Sequence, residues 1–114
     1  MRDEDRIRIQ HMADAAKTAL EFVSGRSRQD LDRDRMLLFG VLRAIEVLGE
    51  AASRVSAGTR SALPDVPRAA VIAMRNRLIH GYFDIDITLV CKTVQEEIPA
   101  LLEVLDSALR AAGN

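Results

Sequence analysis

The stretch from Leu31 to Val55 constrains this chain most. Leu31, Leu38, Val41, Leu42, Ile45, Leu48, Ala52 and Val55 recur at helical spacing and form one stripe. Met36, Leu37, Phe39 and Val47 widen that stripe past a single face. A helix that is apolar on more than one side has to be covered on more than one side. The segment is therefore expected to be the central helix of a bundle or to contribute to a dimer seam. Gly40 and Gly49 inside it each cost about 1 kcal/mol against alanine, which points to close helix approach at both.

The rest of the chain reads as helices that cover this one. Ile9, Met12, Ala16, Leu20 and Val23 share a face of a first helix, and Gly25 is placed to end it. Ser27 with Asp30 reads as the next helix start. The Gly- and Pro-containing run Ala57–Arg68 is expected to be a loop, with Asp65 and Pro67 opening a third helix that runs to His80. Val71, Met74 and Leu78 face inward there, and Gly81 ends it. Asp84 or Asp86 is expected to cap a last helix carrying Ile87, Val90, Val94, Ile98, Leu101, Leu105 and Leu109. Pro99 lies inside that helix and predicts a kink. The fold class is all-α: an antiparallel bundle of four to five helices, one domain over residues 1–114.

Composition narrows the function classes. The formal net charge is −1, so no global field draws the chain to nucleic acid or membrane. No apolar run reaches the ~18 residues of a membrane span, and the charged start lacks a signal-peptide core. Cys91 is the only cysteine, which excludes an intramolecular disulfide and fits a reducing, cytoplasmic setting. Glu46 and Glu50, four apart, resemble half of a carboxylate metal site, but no Glu-x-x-His partner pair exists. One of them is expected to pair with an arginine instead. No metal and no cofactor is expected.

The chemistry gathers at the end of the third helix. Asn76 and His80 are four apart and share a face. Arg75 meets His80 only if the helix ends there or the long side chain wraps. In the last turn the helix dipole favours imidazolium and a nearby guanidinium opposes it, leaving a histidine able to exchange protons near neutral pH. Arg75 can fork onto a phosphate, and Asn76 can orient the imidazole or a substrate oxygen. Tyr82 puts a phenol at the same rim. Each of these residues also has a plain reading: a solvated arginine at a capped helix end, and a core tyrosine with a wet hydroxyl.

Taken together, Arg75, Asn76, His80 and Tyr82, spaced Arg-Asn-x-x-x-His-x-Tyr, resemble the motif of the HEPN superfamily, and more narrowly of HepT-type toxins. The stretches Leu42–Ser56 and Ile79–Asp86 are similar to that family's second helix and post-motif turn. The resemblance implies a metal-independent endoribonuclease toxin of a type VII-like system. In it His80 acts on the ribose 2′-hydroxyl or the leaving oxygen, Arg75 stabilises phosphate charge and Asn76 orients them. It implies a homodimer whose paired motifs form one cleft, with Arg68, Arg75 and Arg77 supplying a local basic patch for RNA. It also implies a nucleotidyltransferase antitoxin of the MNT type that adenylylates Tyr82 with two or three AMP units. The alternative is a non-catalytic helical partner of such a nucleotidyltransferase, binding nucleotide or presenting substrate. A helical dimer used only for assembly is the blandest reading.

Overall fold

The computed structural model describes residues 1–66, 68–79 and 85–113; at residue 79 it describes the backbone alone. Helix α1 spans Asp3–Val23, α2 Arg28–Arg33, α3 Arg35–Ser53, α4 Ala57–Ala62 and α5 Arg68–Ile79. The last helical rod is α6 (Ile87–Lys92), a π-helical turn (Thr93–Glu97) and α7 (Ile98–Gly113). The described residues are thus arranged as four long rods and two short helices. The fold is all-α, as the periodicity requires.

Side-chain neighbours show the rods to be antiparallel. Asp5, at the start of α1, bonds to Ser56 and Thr59 just past the end of α3, while Phe22, at the end of α1, lies against Gly40 near the start of α3. Lys17 of α1 pairs with Asp106 of α7 at 3.8 Å, and Arg6 lies beside Gly113. Helix α3 packs on both α1 and α5, and α1 packs also on α7. The stripe predicted on α3 is the shared wall: Val41, Ile45, Leu48 and Ala52 are fully buried, together with Ile9, Met12, Val90, Ile98 and Leu105. Each large side chain among them contributes about 1.5–3 kcal/mol by leaving water.

The expected first boundary holds in detail. Gly25 takes a φ of 71°, the left-handed conformation a side chain would oppose. Ser27 and Asp30 form a reciprocal capping box, with Ser27 N–H donating to Asp30 Oδ2 at 2.8 Å and Asp30 N–H to Ser27 Oγ at 3.2 Å. Asp86 caps α6 by accepting from the Leu89 N–H at 3.1 Å. The alternative cap, Asp84, lies outside the described residues, as do Pro67, His80, Gly81 and Tyr82.

Two expectations are corrected. The run Leu31–Val55 is not one helix: Asp34 ends α2, donating its N–H to the Asp30 carbonyl, and its carboxylate then accepts from the Leu37 N–H to start α3. Asp34 also takes an ion pair from Arg26 at 2.9 Å. A short acidic side chain that bonds its own backbone interrupts a helix that apolar spacing alone would carry through. The run Ala57–Arg68 is not all loop, because Ser56 caps the short helix α4. Ahead of Pro99 the helix takes a π turn, and Ile98 N–H reaches back to the Thr93 carbonyl; an insertion of this kind, like a proline, bends a helix.

Coverage of α3 is also uneven. Leu37 is buried, but Met36 is 87% and Phe39 52% exposed. The guanidinium of Arg35 lies over the Phe39 ring, 5.8 Å from its centroid.

The polar fastening of the bundle end is Asp5, buried to 3% exposure. Its carboxylate accepts from Ser56 N–H at 2.9 Å, Ser56 Oγ at 2.6 Å and Thr59 Oγ1 at 2.6 Å. These donors hold its pKa at about 2, below the usual 3.8. Because the folded state binds this proton more weakly than the unfolded chain, the contribution is complete above the unfolded value and lost as pH falls toward 2. Urea titrations between pH 5 and pH 2 are expected to show a stability decline that Asp5→Asn flattens. Asp5→Ala is expected to cost about 3 kcal/mol at neutral pH, since it removes three bonds to a charge.

Candidate active site

Helix α5 carries the motif, and its inward face holds it in place. Val71, Met74 and Leu78 are buried in the core, as their spacing predicts. The other anchor is Arg68, whose Nε donates to the Ala52 carbonyl at 2.6 Å and Nη2 to the Ser53 carbonyl at 2.9 Å. Those carbonyls sit in the last turn of α3, where helix ends lack internal partners and a cation is favoured. Arg68 thus ties the start of α5 to the end of α3.

One turn further along α3, the two helices touch at Gly49 and Arg75. The Arg75 side chain runs across the glycine so closely that a Cβ on residue 49 would stand 2.7 Å from Arg75 Cβ. The close approach expected at Gly49 is therefore real, and the approaching group is the motif arginine itself. Arg75 and Asn76 are half-buried, and Arg77 is exposed. Arg75 Nε is buried and has no hydrogen-bond partner among the described residues. Such an unpaired buried N–H costs about 1–3 kcal/mol. Costs of this kind are expected at functional sites, where local rules yield to chemistry.

Arg68 and Arg75, seven apart, fall on the same side of α5, toward α3. Arg77 turns to the other flank, where it lines a groove of about 330 Å³ with Met74, Glu97, Leu101 and Val104. The three arginines expected in one patch are therefore split between two flanks within one chain. Two of the donors of Arg68 are committed to carbonyls, so any phosphate contact by this residue competes with its clamp on α3. His80 and Tyr82, the remaining motif residues, lie outside the described residues.

The other singled-out residues take plain roles. Glu46 pairs with Arg43 at 3.3 Å, as expected for one of the two glutamates. Among the described residues, no group of three or more His, Cys, Asp and Glu side chains gathers with the geometry to hold a metal ion. Cys91 is buried, and desolvation raises its thiol pKa. His11 is an exposed residue beside the groove between α1 and α3. Nothing in the residue spacing pointed to the Asp5 and Arg68 fastenings. Asp5 is one of three acids in the first turn of α1, and Arg68 was expected in a basic patch for RNA rather than as a clamp on α3.

The all-helical bundle and a motif helix anchored to its central rod define a HEPN-type helical domain. A profile described as "Ribonuclease HepT-like" matches residues 12–108, and the chain belongs to that family. It is 33% identical over 93 residues to "Probable ribonuclease HepT" of Thermococcus cleftensis, covering 82% of this chain and 84% of the relative. It is likewise 33% identical over 88 residues to "Putative RNase MJ1380" of Methanocaldococcus jannaschii, covering 77% and 81%. No solved structure matches it significantly. Among the described residues, no helix is long and apolar enough to cross a membrane.

Proposed function

We propose that this chain is a metal-independent endoribonuclease toxin. The observation that carries the reading is Arg75: a half-buried arginine with a desolvated, unpaired Nε, next to Asn76, on the motif helix of a HepT-like ribonuclease family member. A guanidinium held this way is preorganised to meet the charge that develops on a phosphate. In the reaction, His80 takes the proton of the ribose 2′-hydroxyl. The 2′-oxygen attacks the adjacent phosphorus, and the P–O5′ bond breaks. A proton goes to the departing 5′-oxygen, leaving a 2′,3′-cyclic phosphate and a 5′-hydroxyl. Arg75 stabilises the equatorial oxygens and Asn76 orients the reacting groups. RNA carries its own nucleophile, so the step needs no metal-bound water. Arg77, exposed on the other flank of α5, would meet RNA backbone only beyond the Arg75 site.

The active form in this reading is a cytoplasmic homodimer with paired motifs. The exposed Met36 and Phe39 and the small size of the domain favour burying further apolar surface. Its antitoxin is a nucleotidyltransferase of the MNT type that adenylylates Tyr82. Added AMP units bring phosphodiester charge that competes with RNA for Arg75, and a base that fills the cleft.

Three outcomes test this. Arg75→Ala and His80→Ala are expected to abolish cleavage of bulk tRNA with the helical spectrum retained, and wild-type cleavage is expected to persist in EDTA and to leave a 2′,3′-cyclic phosphate. Full activity in His80→Ala, or chelation loss restored by a divalent ion, contradicts the mechanism. Light scattering at micromolar concentration is expected to give a dimer, and a monomer would refute the paired cleft. Co-expression with an MNT-type nucleotidyltransferase is expected to add AMP to Tyr82, seen by mass spectrometry. Tyr82→Phe should then stay toxic where wild type is silenced, and AMP found on another residue would remove Tyr82 as the switch.

A further inference from the structure

We infer that Gly49 is a positioning residue for Arg75. It forms the notch that holds the guanidinium of α5 in place, so that any side chain at residue 49 dislodges Arg75 from the site. For its effect on cleavage the inference rests on the ribonuclease reading above; for the placement of Arg75 it stands on the geometry.

A Cβ at residue 49 would lie 2.5 Å from Arg75 Cγ, 2.7 Å from Arg75 Cβ and 3.2 Å from Arg75 Nε. The first two separations are too short for any real contact. Arg75 Cβ is fixed by the backbone of α5, and Cγ depends on a single torsion. The conflict therefore cannot be relieved at the flexible tip of the side chain. A change of rotamer would relieve the Cγ contact alone; the Cβ contact is relieved only if the α5 backbone at Arg75 shifts away from α3. Helix α5 resists movement, because Arg68 is bonded to the Ala52 and Ser53 carbonyls and Val71, Met74 and Leu78 are buried in the core. The strain therefore falls on the turn of α5 that carries Arg75, and the guanidinium is displaced with it.

Gly40 supplies the contrast within the same helix. A Cβ there would meet only the Phe22 ring, at 3.2 Å and 3.4 Å. Phe22 is 43% exposed and can swing outward. The two glycines look alike in sequence, each an interruption of an apolar helix. One faces a movable ring and the other faces the stem of the motif arginine. The buried Nε of Arg75, without a partner among the described residues, points the same way. An arginine free to choose its rotamer would expose that N–H to water or pair it.

The test uses the full chain and two readouts. The first is the ¹⁵Nε–H signal of Arg75, assigned with Arg75→Lys; burial in the notch predicts slow exchange with solvent. The second is cleavage of bulk tRNA, with kcat and KM separated. Gly49→Ala is expected to lose the protected Nε–H signal and to lower kcat about a hundredfold, with a much smaller change in KM, as for a misplaced catalytic group. Gly40→Ala is expected to keep both. If Gly49→Ala keeps the protected signal, or cleaves at the wild-type rate, the inference is overturned while the ribonuclease reading stands. If wild type itself cuts no RNA, the ribonuclease reading falls and Gly49 is judged on the Nε–H signal. Should Gly49→Ala fold poorly, a stability cycle with Arg75→Gly decides. Alanine at 49 should be tolerated once the arginine stem is gone, and an equal loss in both backgrounds would refute the notch.

Discussion

The burial of α3 between α1 and α5 is the constraint on which the other features depend. Val41, Ile45, Leu48 and Ala52 are fully buried, and the helices on either side contribute their own apolar faces to the same wall. With α3 at the centre, the remaining rods have few places to go. Short links make its neighbours antiparallel, and the motif helix must lie along it rather than apart from it. The position of Arg75 follows from this packing, because the arginine lies across a residue of the central helix.

Polar contacts at one end of the bundle complete what apolar burial leaves loose. Apolar packing is tolerant of small slides, whereas a hydrogen bond to a charged group is directional. Asp5 fastens the start of α1 to Ser56 and Thr59, and Arg68 fastens the start of α5 to the carbonyls that end α3. Both fastenings close on the few residues where α3 gives way to α4. The motif helix is thereby held against α3 at its start as well as along its apolar face. In the proposed ribonuclease, that arrangement would let Arg75 meet a phosphate without reorganising. It also leaves the exposed Met36 and Phe39 at the other end of α3, away from the Arg68 clamp.

Much of the fold was legible in the chain because its signals act within about four residues. The inward faces of α1, α3 and α5, the left-handed Gly25, the Ser27–Asp30 box and the cap at Asp86 all come from local periodicity and local hydrogen bonding. The misreadings came where a second local or distant group intervened. Asp34 split an apolar run by capping its own backbone, and Ser56, held by the distant Asp5, started a helix in a run read as loop. The motif residues were legible as a spaced set, but spacing could not say that Arg77 turns away from Arg68 and Arg75 toward α7.

By itself, the sequence determined the inward faces of the helices, the boundary between α1 and α2, the cap of the last rod, the identity of the central rod and the spacing that sets Arg75, Asn76, His80 and Tyr82 in one motif. Only the tertiary structure decided that the run after Ser56 forms a helix, because the carboxylate that steadies its start comes from Asp5, 51 residues away. Only it decided that Arg68 serves the end of α3, and that Gly49 and not Gly40 lies under the motif arginine. Periodicity reports which face of a helix is buried. Which residue meets which across the interface depends on how two such faces are brought together, and a one-dimensional pattern carries no term for that.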